Sequence, residues 1–178
     1  MTNPASRAQG ASGFTLIELL VTLALVGLLA SVSLPLYEVS TTRAKEAELR
    51  QALRTIRAGL DAYKAAVDSG MLPRVAGESG YPPSLETLTQ VLDTAFKRDP
   101  GSIDPGLAGK AGPPERIVIL RQLPRDPFFP DPLAPADQTW NTRAYASRAD
   151  DPQPGADVFD VSSKSTRSAL DGTAYANW

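Results

Sequence analysis

From Phe14 to Tyr37 every residue is apolar or small except Glu18. At a helical rise of about 1.5 Å per residue, this stretch is long enough to cross a hydrocarbon core of about 30 Å. An ionised acid inside such a span costs roughly 2.5 to 3.5 kcal/mol on insertion scales, so its presence points to a charged partner. A Glu18 that merely snorkels from an uncleaved anchor is the alternative.

The segment is not an ordinary secretory signal, which needs basic residues, a short apolar core and a small-residue cleavage site after that core. Here residues 1–13 are short and polar with only Arg7 basic, and the small residue, Gly13, comes before the apolar run. Cutting after Gly13 would leave the hydrophobic helix on the mature chain. The run Gly13-Phe14-Thr15-Leu16-Ile17-Glu18 resembles the start of the type IV pilin-like family, whose leader ends in Gly and whose mature chain begins with Phe and has Glu at its fifth position. Pro35 also falls where that family usually has a proline, which would kink the helix by removing one backbone hydrogen bond. The resemblance implies cleavage between Gly13 and Phe14, N-methylation of Phe14, and assembly through Phe14 and Glu18. It also implies an N-terminus in the cytoplasm. Charge alone argues the other way, because Arg43, Lys45 and Arg50 follow the span while only Arg7 and the amino group precede it.

The chain has 178 residues and a net charge of −2, without histidine or cysteine. One domain on a membrane helix is the expected scale. Such a composition excludes His-based acid/base catalysis, thiol nucleophiles and a disulfide framework, and it advertises no broad basic surface for nucleic acid. Cysteine-free chains are more similar to the pseudopilins of secretion systems than to adhesive pilins, many of which close their C-terminal region with a disulfide.

Beyond Pro35 the helix is expected to continue to about Ser69. Leu49, Leu53, Ile56, Leu60, Tyr63 and Val67 recur at steps of four and three, an apolar stripe for packing on a domain. Gly70 is the expected stop. The remainder is expected to form a small head in an α+β fold with a short antiparallel β-sheet. Ser84 is placed as the cap of a short helix whose face is Leu85, Leu88, Val91, Leu92 and Phe96. Asp99 to Pro114 is Gly- and Pro-rich and expected to be an exposed loop. Arg116 to Leu123 is an apolar run compatible with strand, helix or turn. Trp140 to Ser147 and Asp157 to Ser163 alternate well enough for a hairpin, with Asp150 to Gly155 as its turn region.

Leu123-Pro124-Arg125-Asp126-Pro127-Phe128 and Asn177-Trp178 resemble segments of the major pseudopilin (G subunit) of type II secretion systems. That resemblance implies calcium in a C-terminal loop, a site for hard oxygen ligands, with Asp171 and Asp160 as the candidates. Against it, Arg167 and Ala174 fall near ligand positions, and a cation there opposes binding. No other cofactor is implied. Ser162, Ser163 and Lys164 could be cast as a Ser/Lys nucleophile pair, but no elbow glycine or partner motif accompanies them, so the chain is expected not to be an enzyme.

Three parts are therefore expected: residues 1–13 as leader, 14–37 as transmembrane half-helix, and 38–178 as periplasmic head including the second half of the helix. The resemblance implies a pseudopilin that polymerises into a periplasmic pseudopilus for type II secretion. Its implied partners are copies of itself, other pseudopilins, the prepilin peptidase and methyltransferase, the inner-membrane assembly platform and membrane lipid, with no nucleic acid. A pilin of a type IV pilus and an uncleaved membrane-anchored binding module are the alternatives.

Overall fold

The computed structural model describes residues 13–96 and 114–178, excluding the side chains of residues 32–35. The leader before Gly13 and most of the Gly/Pro-rich segment expected as a loop lie outside the described residues. The chain divides into two units, one up to Thr42 and the other Arg43–Trp178. A single helix, α1 (Leu16–Asp68, 53 residues), contributes to both.

In the first unit α1 continues through Pro35, which offers no N–H to the carbonyl one turn back. Its leucines, valines and isoleucine from Leu16 to Leu29 are exposed. Among the described residues of this unit nothing else covers them, and the helix is long and apolar enough to cross a membrane. The Thr22 and Ser31 hydroxyls donate to the carbonyls of Leu19 and Leu28 at 2.9 and 2.7 Å, so these polar side chains are satisfied within the helix itself.

In the second unit the expected stripe packs as its spacing requires. Leu49, Leu53, Ile56, Leu60 and Val67 are buried, and Tyr63 packs beside them. Gly59 lies on the same face and lets Leu120 approach: a Cβ there would stand 3.0 to 3.3 Å from the Leu120 side chain. The helix ends at Asp68, and Gly70 (φ 74°) reverses the chain with its N–H on the Val67 carbonyl at 3.0 Å.

The head is α+β, with α1 as its one long element and strands that are short and antiparallel. Strand β1 (Leu92–Asp93) pairs with β2 (Arg116–Ile117), and β3 (Trp140–Arg143) pairs with β4 (Asp160–Ser163). In the second pair Trp140 faces Ser163 and Arg143 faces Asp160. The hairpin is shorter than its sequence alternation suggests. After Arg143 the chain leaves the ladder, and the Tyr145 N–H turns to the Asp157 carboxylate at 2.8 Å. The short helix expected after Ser84 is only a 3-10 turn, Leu85–Thr89. Leu85 and Leu88 are buried as expected, but Val91 and Phe96 are exposed and Leu92 belongs to β1. Ser84 makes no side-chain cap bond; its hydroxyl meets that of Thr87 at 3.1 Å. The Leu88 carbonyl takes the Leu120 N–H at 2.8 Å, and the extended Gln90 leads into β1, so pairing with the later segment wins over helix continuation. Of the run Arg116 to Leu123, only the first two residues are strand.

The core joins α1 to the rest of the head through Trp140, Tyr175, Phe128, Val161 and Leu123. Phe128 stacks on Tyr175 with ring centres 4.1 Å apart, and the Trp140 indole donates to the Pro124 carbonyl at 2.9 Å. Asp126 is 2% exposed, accepts the Phe128 N–H at 2.8 Å, and also receives the Ser163 hydroxyl. The segment 123–128 is thus an internal brace between β4 and the aromatic core.

Replacing Leu60, which is buried in this core, by Ala is expected to lower stability by about 2 to 5 kcal/mol. Chemical denaturation of the full chain in detergent checks it; an unchanged midpoint would mean that the stripe is not the core.

Candidate processing and assembly site

Gly13, Phe14 and Thr15 precede α1 and have no regular structure, so the bond between Gly13 and Phe14 lies in backbone free of helical hydrogen bonds. A Cβ on Gly13 would meet nothing within 4 Å, and Phe14 is 84% exposed. Thr15 starts the helix: its hydroxyl oxygen accepts the Glu18 N–H at 3.3 Å. Thr15 and Glu18 have the Thr-x-x-Glu spacing of a capping box, which places the acid in the first turn, where the helix dipole favours negative charge. That pattern is readable in the sequence and supplies a local reason for the acid's tolerance which the apolar run alone does not. Among the described residues no Lys or Arg forms an ion pair with Glu18.

The C-terminal oxygen-bearing residues do not converge. Asp160 on β4 takes the Arg57 Nε–H at 2.8 Å and faces Arg143 Nη2 at 3.5 Å. Asp157 binds the Ser79 hydroxyl and the Tyr145 N–H. Asp171 sits in an exposed turn, where the Thr173 hydroxyl and N–H bind its Oδ1 at 2.6 and 2.9 Å. These bonds, the hydroxyl first, hold the Asp171 carboxyl below its ordinary range. Among the described residues no group of three or more acidic side chains could hold a metal ion. Asp160 and Asp171 are each held by different partners, and the two guanidiniums beside Asp160 would repel an ion there. Arg167 lies over the Phe128 ring at 5.6 Å, and Ala174 pairs with Ser168. Ser163 is buried against Asp126 while Lys164 reaches the Gln138 carbonyl at 2.7 Å, so the two side chains turn to different partners.

Two α1 side chains hold the C-terminal segment. Arg57 donates to Asp160, to the Val161 carbonyl at 3.0 Å and to the Trp178 backbone oxygen at 2.6 Å. Glu46 is 6% exposed and receives the Leu170 N–H at 2.8 Å and the Tyr175 hydroxyl at 3.1 Å on one oxygen. Arg50 covers the Trp178 ring at 4.1 Å. Neither role could be read from spacing, because each partner is more than a hundred residues away.

Burial, followed by the Glu46 carboxylate, raises the Tyr175 pKa above its ordinary value near 10. A raised phenol pKa stabilises the fold fully below the unfolded value and loses that contribution as pH climbs through the folded one. Tyr175→Phe is expected to lower stability by about 1 to 3 kcal/mol at neutral pH, because Glu46 loses a buried donor. The same change should flatten the decline above pH about 10. Denaturation curves from neutral to alkaline pH check both. Calcium is expected to shift the melting temperature little, whereas a bound ion at about a hundred times its dissociation constant would add roughly 2.7 kcal/mol. A clear rise reversed by chelator and by Asp171→Ala would overturn this.

No match was found among curated proteins or solved structures. Residues 9–34 match the prokaryotic N-terminal methylation motif, the prepilin signal that spans Gly13, Phe14 and Glu18. That segment is similar to the signal at which type IV pilin-like proteins are cut by prepilin peptidase.

Proposed function

We propose that this chain is a pseudopilin of a type II secretion apparatus, cut after Gly13, held in the inner membrane with its head in the periplasm, and polymerised into a short fibre. The methylation motif laid over an exposed apolar helix with one acid carries this reading. The pilin-like motif belongs to structural subunits, and the role is structural. Similarity of the 123–128 segment to a major pseudopilin, together with the lack of cysteine, favours secretion over a surface pilus.

Hydrolysis of the bond between Gly13 and Phe14 gives a carboxylate on the leader and an amino group on Phe14. Methylated or not, that amine remains cationic. In the fibre the Glu18 carboxylate of one subunit pairs with the Phe14 amine of the next, an attraction far stronger in low dielectric than in water. Desolvation consumes much of the gain, so the pair sets register more than affinity. Within a monomer the helix N-terminus partly compensates Glu18, which lets the subunit wait in the membrane.

Glu18→Ala is expected to leave cutting and insertion intact while assembly and secretion collapse. Gly13→Val should block cutting more strongly than Gly13→Ala. Mass spectrometry of the membrane-extracted protein tests the first step: a functional protein with its N-terminus at Met1 would remove the basis of the assignment. Comparing secretion with surface piliation in a deletion strain separates a pseudopilin from a pilin.

A further inference from the structure

Shortly after the apolar run of α1 two cations stand unclaimed. Arg43 and Lys45 are exposed, and among the described residues neither forms an ion pair. The other cations of α1 are engaged within the chain. Arg50 covers the Trp178 ring, Arg54 donates to the Gln51 side chain at 3.0 Å, Arg57 holds Asp160 and Trp178, and Lys64 pairs with Asp68.

Leu36 and Tyr37, 65% and 70% exposed, precede the two cations, and Glu46, buried under the C-terminal segment, follows them. In between, the Thr41 and Thr42 hydroxyls both donate to the Glu38 carbonyl at 2.9 Å and ask nothing of their surroundings. A tyrosine followed by long basic side chains is the order expected where a helix passes from hydrocarbon through the interface into water. Two residues apart, Arg43 and Lys45 point about 200° apart around the helix and stand about 3 Å apart along it. They form a collar instead of a cluster. One small anion cannot touch both, whereas a layer of phosphates surrounding the helix at one depth can. Exposed acids flank them, Glu38 before and Glu48 after, so the four charges cancel in sum and the cations act in contact, not at a distance.

We propose that Arg43 and Lys45 bind the phosphates of lipid headgroups and fix the depth at which α1 leaves the membrane, which puts the boundary at this collar and not at Tyr37. The inference rests on the reading that the apolar run spans the membrane. By charge counting alone these cations would draw their end of the helix to the cytoplasm. Phosphates line both faces of a bilayer, so headgroup contact gives the collar a partner on either side.

The chain has no cysteine, so a single introduced thiol reports its own surroundings. Leu23→Cys, Ser40→Cys and Ala47→Cys, each in the full chain, are reconstituted into vesicles of phosphatidylglycerol and phosphatidylcholine, and outward-facing heads are labelled with a membrane-impermeant maleimide. Ser40 and Ala47 are both exposed and bracket the collar. Ala47→Cys is expected to label fastest, Ser40→Cys several-fold more slowly and Leu23→Cys not at all. Adding Arg43→Gln with Lys45→Gln should narrow the gap between Ser40→Cys and Ala47→Cys, while Arg43→Lys with Lys45→Arg keeps it. Because both cations are exposed and unpaired, the Gln pair should keep the wild-type melting temperature, which separates lost anchoring from lost folding. In maltoside micelles, which carry no phosphate, the Gln pair should leave the gap as it is; this arm also cancels any effect of nearby charge on thiol reactivity. Equal rates for Ser40→Cys and Ala47→Cys with Leu23→Cys protected, or a gap in vesicles that the Gln pair does not narrow, would overturn the collar and leave the span standing. The same narrowing in micelles would assign the two cations to the chain itself, and a wild-type response to inorganic phosphate added to the micelles would assign them to a free anion; either overturns the lipid contact. Labelling of Leu23→Cys as fast as Ala47→Cys would overturn both the collar and the span.

Discussion

The Arg57 guanidinium satisfies three oxygens from two places, the Asp160 carboxylate with its neighbouring Val161 carbonyl and the Trp178 backbone oxygen. The rest of the head depends on this junction because its strands are too short to stand alone. A four-residue pair such as β3 and β4 is marginal without a covering element. Helix α1 supplies that cover, with its apolar stripe below and the Arg57 and Glu46 contacts at the edge. The last turn of the chain is thereby folded over the helix that begins it.

Buried charge in this arrangement acts by direction more than by strength. Glu46 and Asp126 are buried; Glu46 accepts the Leu170 N–H and the Tyr175 hydroxyl, and Asp126 accepts the Ser163 hydroxyl and the Phe128 N–H of its own segment. Pairing of this kind seldom outdoes a well-packed apolar replacement in free energy, but removing one partner is costly because the other is left buried and unsatisfied. Such contacts therefore specify which loop lies against the helix, a task that a head with so much irregular backbone cannot leave to ladder hydrogen bonds.

Sequence periodicity revealed what depends on local spacing. The stripe from Leu49 to Val67 and the stop at Gly70 follow from a 3.6-residue repeat and a positive φ, and both were legible. The Leu85–Leu88 pair was legible as core but not as a 3-10 turn, because the competing bond from Leu120 comes from a segment some thirty residues later. At the N-terminus the motif over residues 9–34 was readable because the signal is contiguous, whereas nothing in the spacing singled out Arg57 and Glu46. Their partners are set by tertiary folding, on which one-dimensional spacing is silent. For the same reason the C-terminal acids read as a cluster in sequence, while in space each is claimed by a different neighbour.

The closure of the C-terminal segment by Arg57 and Glu46 has a consequence for how this head folds. No covalent bond has to form between distant parts of the chain, so the head needs neither an oxidising compartment nor a disulfide isomerase to reach its final fold. Its folding involves no thiol chemistry. The head can therefore reach its fold under reducing conditions, where a disulfide-closed domain would not.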